Sequence, residues 1–252
     1  MKQLSLGVLV ASLVSCGSGA ASAPAQPQAD PGFTVLFNGK DLTNWKVPDG
    51  DNGHWKVVDG VIDYDAMSEA KGEKHLFTAK EYGDFVLKVD WRLKEAPYMN
   101  NNVPVILPDG THKLGPDGKE LKAPQFDADS GVYLRDRKGK SQVNIWTWPI
   151  GSGEVYGYRM DKNQPPEVRA AVTPKRKADK PVGEWNSFVI TLKGTRLTVV
   201  LNGDTVIENA DLPGLMPRGP IGLQHHGAMK DGKWTSPPAL VQFRNIEIKE
   251  LN

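Results

Sequence analysis

The feature that most constrains this chain is the strict alternation over residues 84–93. Phe85, Leu87, Val89, Trp91 and Leu93 occupy one phase, and Val86, Lys88, Asp90 and Arg92 the other. Successive side chains on a strand point to opposite faces, so one side is continuous hydrocarbon and the other largely polar. An antiparallel strand with one buried and one hydrated face has this pattern.

The same period recurs at 55–58, 61–64, 131–135, 143–148, 187–192, 197–201, 221–224 and 240–248, where Val, Ile, Phe, Tyr and Trp dominate. Asp59-Gly60 and Asn202-Gly203 separate adjacent runs and predict two-residue hairpin turns. No segment shows a three-turn amphipathic helix, and 19 prolines argue against long helices. Many short strands with regular turn punctuation predict an all-β sandwich or barrel in one domain. Five prolines (97, 104, 108, 116 and 124) break the rhythm over 95–129, and so long an excursion is usually functional or locally structured.

The N-terminus predicts export. Met1-Lys2-Gln3 gives a short positive start, and 4–14 is apolar, of signal-peptide length and too short for a permanent membrane span. Leu13-Val14-Ser15-Cys16 resembles a bacterial lipobox. Cys16 is the only cysteine, so no disulfide forms within the chain, and lipidation explains a thiol that would otherwise be free. Cleavage after Ala21-Ser22-Ala23 is the competing reading. The expected organisation is a lipoprotein signal peptide over 1–15, a flexible tether over 16–31 and a folded domain over 32–252. The expected location is the bacterial outer membrane or periplasm, with the membrane touched only through the lipid. Lysines and arginines number 31 against 30 acids, so nucleic acid is not an expected partner.

Several ordered segments resemble the 3-keto-disaccharide hydrolase family. They are FTVLFNGKDLTNW (33–45), DFVLKVDWR (84–92), DSGVYLR (129–135), GEWN (183–186), LNG (201–203), RGPIGLQHHG (218–227) and VQFRNIEI (241–248). The resemblance implies a concanavalin A-like jelly-roll β-sandwich of antiparallel strands. It also implies a sugar oxidised at C3, cleavage by elimination and hydration, and a divalent metal ion as possible cofactor. The chain departs from the family pattern at Gln142 and Trp146, where carboxylates are usual, and at Asp90 and Asp129, which replace Glu and Asn. It looks like a divergent subfamily.

A 3-keto group acidifies the C2 proton, so cleavage needs a base near C2, a donor to the ketone oxygen and an acid for the leaving oxygen. His225 and His226 are the candidate bases or ligands. Adjacent strand residues point opposite ways, so only one of them faces a cleft. Glu154, flanked by glycine in Gly151-Ser152-Gly153-Glu154, is a third catalytic candidate, its alternative a solvated turn glutamate. Gln142, Asn144 and Trp146 share one strand face, and two amides with an indole suit hydroxyls and the C–H face of a sugar. Gln224 beside the histidines, Arg135 at the end of its strand and Asp90 by resemblance complete the substrate-binding candidates. Trp45, Trp55, Trp91 and Trp185 read as core. No paired-carboxylate strand of the E-x-D-x-x-E kind and no nucleotide-binding or zinc-protease motif is present. The leading expectation is an enzyme cleaving 3-keto-glycosides. The alternatives are a non-catalytic carbohydrate-binding lipoprotein and a conventional glycosidase.

Overall fold

The alternating segment forms a strand at Phe85–Leu93, and its apolar phase is enclosed from end to end. A computed structural model of the chain describes residues 29–251. The predicted signal peptide, Cys16 and the tether up to residue 28 lie outside the described residues.

In chain order the first elements are β1 (Thr34–Val35), β2 (Trp45–Lys46), β3 (Lys56–Val58), β4 (Val61–Asp65), β5 (Leu76–Thr78) and β6 (Phe85–Leu93). Then come β7 (Tyr98–Asn100), β8 (Gln125–Asp127), β9 (Asp129–Leu134), β10 (Gln142–Trp146), α1 (Tyr156–Arg159) and α2 (Pro166–Ala171). The last are β11 (Asn186–Lys193), β12 (Arg196–Leu201), β13 (Asp204–Asp211), β14 (Ile221–Leu223), β15 (Ala228–Lys230), β16 (Lys233–Ser236) and β17 (Leu240–Glu250).

The strands form an antiparallel jelly-roll sandwich. The larger sheet runs β13-β12-β11-β6-β17-β4-β3, with β1 added to β17, and the smaller runs β10-β9-β14-β5-β2. Phe85, Leu87, Phe188, Ile190 and Leu201 of the larger sheet share a core with Val132, Leu134, Val143, Ile145 and Leu223 of the smaller. Each such side chain contributes about 1.5–3 kcal/mol relative to exposure. Both predicted hairpin turns carry positive φ at their central residues, Asp59 (50°) with Gly60 (79°) and Asn202 (53°) with Gly203 (90°).

The proline-rich excursion is locally structured. β7 and β8 pair at its base, and bridges such as Ile106 with His112 and Leu114 with Glu120 continue the ribbon outward. Trp45, Trp55 and Trp91 are buried, but Trp185 is not part of the core. Asn186, Phe188, Ile190 and Leu192 hold the buried phase of β11, so Trp185 falls in the outward phase. There the guanidinium groups of Arg92 and Arg244 cover its ring, at 4.8 and 4.0 Å from its centroid.

Candidate functional site

Alternation divides the smaller sheet as cleanly as it divides β6. Val132 and Leu134 of β9 and Val143 and Ile145 of β10 enter the core. The other phase, Asp129, Gly131 and Tyr133 on β9 with Gln142, Asn144 and Trp146 on β10, faces outward in register: Gln142 opposite Tyr133, Asn144 opposite Gly131, Trp146 opposite Asp129. Gly131 lets Gln142 lie flat, since a Cβ there would stand 2.2 Å from Gln142 Nε2. This face floors a cleft of about 310 Å³ that gathers Gln142, Asn144, Trp146, Gln224, His226 and Asp129.

The amides are oriented by their own bonds. Gln142 Nε2 donates to Gln224 Oε1 at 2.5 Å and to the Ser130 carbonyl at 3.1 Å. With its oxygen occupied, Gln224 has an NH₂ group whose contact with the Tyr133 phenol leaves one hydrogen to donate to a ligand. Among the described residues the Asn144 side chain makes no hydrogen bond, although the residue is buried. Its amide opens on the cleft, where it is free to pair with whatever enters.

His226 and Asp129 form the titratable centre. His226 Nδ1 lies 2.5 Å from the Pro237 carbonyl and donates to it, which leaves Nε2 with its lone pair. That Nε2 stands 3.7 Å from Asp129 Oδ2, with the two side chains 35% and 22% exposed. Burial raises the Asp129 carboxyl to about 7, against the opposing pull of His226, and Asp127 adds to the rise. A group that gains and loses a proton near neutrality, beside an imidazole, suits acid–base work.

Asp127 builds the wall. Its Oδ2 accepts from Asn100 Nδ2 (2.7 Å) and Trp148 Nε1 (2.9 Å), and its Oδ1 accepts from Thr147 Oγ1 (2.9 Å). Asn100, Trp148 and Tyr156 line the cleft with the floor residues. Trp146 stacks on Trp148 at 4.1 Å and 7°; both indole N–H groups are spent within the protein, but Trp146 is buried and Trp148 only half-buried, so Trp148 is the more available ring. Trp148 continues the phase of Gln142, Asn144 and Trp146, a signal present in the sequence.

A family model described as 3-keto-alpha-glucoside-1,2-lyase-like domain matches residues 32–249. The chain belongs to this family. Its subject is carbohydrate, as the amide and indole lining suits. Two solved structures, each described as a putative glycosyl hydrolase from Parabacteroides distasonis, share the fold. One is 22% identical over 88% of this chain and 84% of its own, with a TM-score of 0.56. The other is 20% identical over 90% and 100%, with a TM-score of 0.55. No curated protein matches the chain.

Within this 3-keto-alpha-glucoside-1,2-lyase-like domain, four nominated residues stand outside the cleft. His225 is held apart from the cleft by its own contacts. Its Nδ1 lies 2.5 Å from the Tyr64 hydroxyl, and burial, reinforced by Lys74 and His75, pushes its pKa down to about 4. Glu154 is fully enclosed and accepts from Arg159 Nε at 2.5 Å; burial raises its pKa while Arg159 opposes. It is neither a solvated turn residue nor a cleft residue, because Arg159 and His112 of the proline-rich excursion seal it. Arg135 has left-handed backbone (φ 57°) and a buried guanidinium that donates to Asp84 and to the Gly83 and Gly194 carbonyls. Asp90 lies on the larger sheet and accepts from Asn245 Nδ2 at 2.8 Å, in a separate hollow with Lys88, Ser187 and Glu247. Phase alone says that Asp90 is outward, not on which sheet's outward face it sits.

Proposed function

We propose that the cleft cleaves 3-keto-glycosides by removing the proton on C2, next to the ketone, and expelling the oxygen substituent on C1. The observation that carries this reading is the His226 Nε2 lone pair facing the Asp129 carboxyl above a floor of buried amides. His226 takes the C2 proton, and the electron pair moves into the C2–C3 bond and onto the ketone oxygen. The amide groups of Gln224 and Asn144 donate to that oxygen as its charge grows. The C1–O bond then breaks, C1 and C2 become doubly bonded, and the departing oxygen takes the Asp129 proton. Proton exchange between His226 and Asp129 restores both groups, and water adding across the double bond completes the hydrolysis.

The family resemblance implies a divalent metal ion. Asp129 and His226 supply two suitable donors, but no set of three His, Cys, Asp or Glu side chains among the described residues could hold an ion. That falls short of the three protein ligands of a typical catalytic zinc, so every step is assigned to the protein's own groups. A conventional glycosidase needs two free carboxyl groups flanking the scissile bond. Asp127, whose charge adds to the rise at Asp129, has both oxygens engaged. The proposed setting is outside the cytoplasm, supported by the apolar leader and by Cys16.

The test is turnover of a 3-keto-glucoside beside its unoxidised parent by the purified protein. Cleavage of the oxidised sugar alone is expected. Binding of both without turnover would replace this reading with a carbohydrate-binding one, and hydrolysis of the parent would replace it with a glycosidase.

A further inference from the structure

A polar cluster lies beside the cleft floor without lining the cleft. Tyr133 stands on the outer face of β9, opposite Gln142 on β10 and Gly222 on β14. His75 immediately precedes β5, whose Leu76 pairs with Leu223 of β14. Its ring reaches Tyr133 on that face, with 4.7 Å between the ring centroids.

The contacts of His75 admit one tautomer. Its Nδ1 lies 3.0 Å from the backbone nitrogen of His225, whose N–H can only donate, so Nδ1 carries the lone pair. A neutral imidazole then holds its hydrogen on Nε2. Burial lowers the pKa of His75, against the pull of Glu73 and with a push from His226, so the neutral ring dominates at neutral pH. Nε2 lies 3.3 Å from the Tyr133 hydroxyl and 3.9 Å from Glu73 Oε1, which already accepts the backbone N–H groups of Lys74 and His75. The Nε2 hydrogen goes to the Tyr133 oxygen. That oxygen also meets the Gln224 NH₂ group. Gln224 is thus held at both ends. Gln142 donates to its oxygen while also donating to the Ser130 carbonyl, which can only accept.

We propose that His75 is a positioning residue: acting through the Tyr133 hydroxyl, it keeps the NH₂ end of the Gln224 amide, rather than its oxygen, ready for the substrate's ketone oxygen. The catalytic consequence rests on the proposed 3-keto-glycoside chemistry of the cleft. Without His75 the hydroxyl can turn its own hydrogen toward Gln224 and favour the flipped amide, in conflict with Gln142.

The experiment measures kcat and KM on a 3-keto-glucoside for His75→Ala, Tyr133→Phe and the double variant. Gln224 serves the charge growing on the ketone oxygen, so kcat is expected to fall about tenfold in each single variant with KM little changed, less than the loss of about 10²-fold or more on deleting a donor. The double variant is expected to match Tyr133→Phe, because both substitutions cut one chain of contacts. Losses that multiply to about a hundredfold, or full kcat in His75→Ala, would overturn the proposal. NMR of the isotope-labelled full chain reads the same contacts without turnover. His75 is expected as the Nε2–H tautomer, and the Gln224 side-chain amide signals should move alike in His75→Ala and Tyr133→Phe. If they do so but no 3-keto-glycoside is cleaved, the cleft chemistry fails and the positioning contact stands. An Nδ1–H tautomer, or Gln224 signals indifferent to His75→Ala, removes the role of His75 whatever the turnover.

Discussion

His226 Nε2 and Asp129 Oδ2 face each other across 3.7 Å, one just beyond β14 and the other at the first position of β9. Either group alone is ordinary; together they hold a base and an acid within one sugar ring's reach. His226→Ala and Asp129→Asn are each expected to lower kcat on a 3-keto-glucoside by about 10²–10⁴-fold, the usual scale of general acid–base catalysis. Unchanged circular dichroism would show that the loss is chemical. Full activity in His226→Ala would remove that residue from the mechanism.

The Asp129 carboxyl gives activity and stability linked pH dependences. Its pKa rises from 3.8 in the unfolded chain to about 7 in the folded protein. The folded state therefore binds this proton more tightly. The stability so gained is complete below about 3.8, is lost as pH rises through about 7, and changes no further above that. Asp129→Asn escapes the loss, so its thermal midpoint should exceed that of wild type by more at pH 8 than at pH 5. Turnover by wild type should decline above about pH 7 as the acid loses its proton.

Gly131→Ala tests the floor. The new Cβ would stand 2.2 Å from Gln142 Nε2 and 2.7 Å from its Cγ, so the whole side chain must leave its seat and release Gln224. A destabilisation of about 1–3 kcal/mol is expected from overpacking, with KM raised more than kcat is lowered. Urea unfolding and steady-state kinetics measure the two effects separately.

Glu154→Gln separates a structural from a catalytic carboxylate. Neutralising one partner leaves Arg159 charged in a sealed site, which costs about 3–5 kcal/mol. The variant should unfold at lower denaturant, while its folded fraction keeps kcat within a few-fold of wild type. A kcat loss matching that of His226→Ala would return Glu154 to the chemistry.

Much of this was legible in the chain because strand phase is a local property. The buried row of β6, the hairpin at Asn202-Gly203 and the shared face of Gln142, Asn144 and Trp146 need only a few consecutive residues to read. Asp129 gives no local signal because its partner lies 97 positions further along the chain, and only the pairing of β9 with β14 brings the two together. The glycine neighbours of Glu154 indicate an open turn, whereas the excursion that covers it comes from residues around 110. Arg135 sits at a strand end, where a left-handed residue redirects the side chain and alternation no longer tells its direction.

The two phases of β9 and β10 also divide labour in a way that bears on how such a domain can change. Val132, Leu134, Val143 and Ile145 answer to the interior, while Asp129, Gln142 and Asn144 answer to whatever molecule arrives from outside. Exchanging letters in the second set leaves the first set's contacts whole. A new sugar preference can therefore arise here by mutation without first weakening the scaffold that displays it.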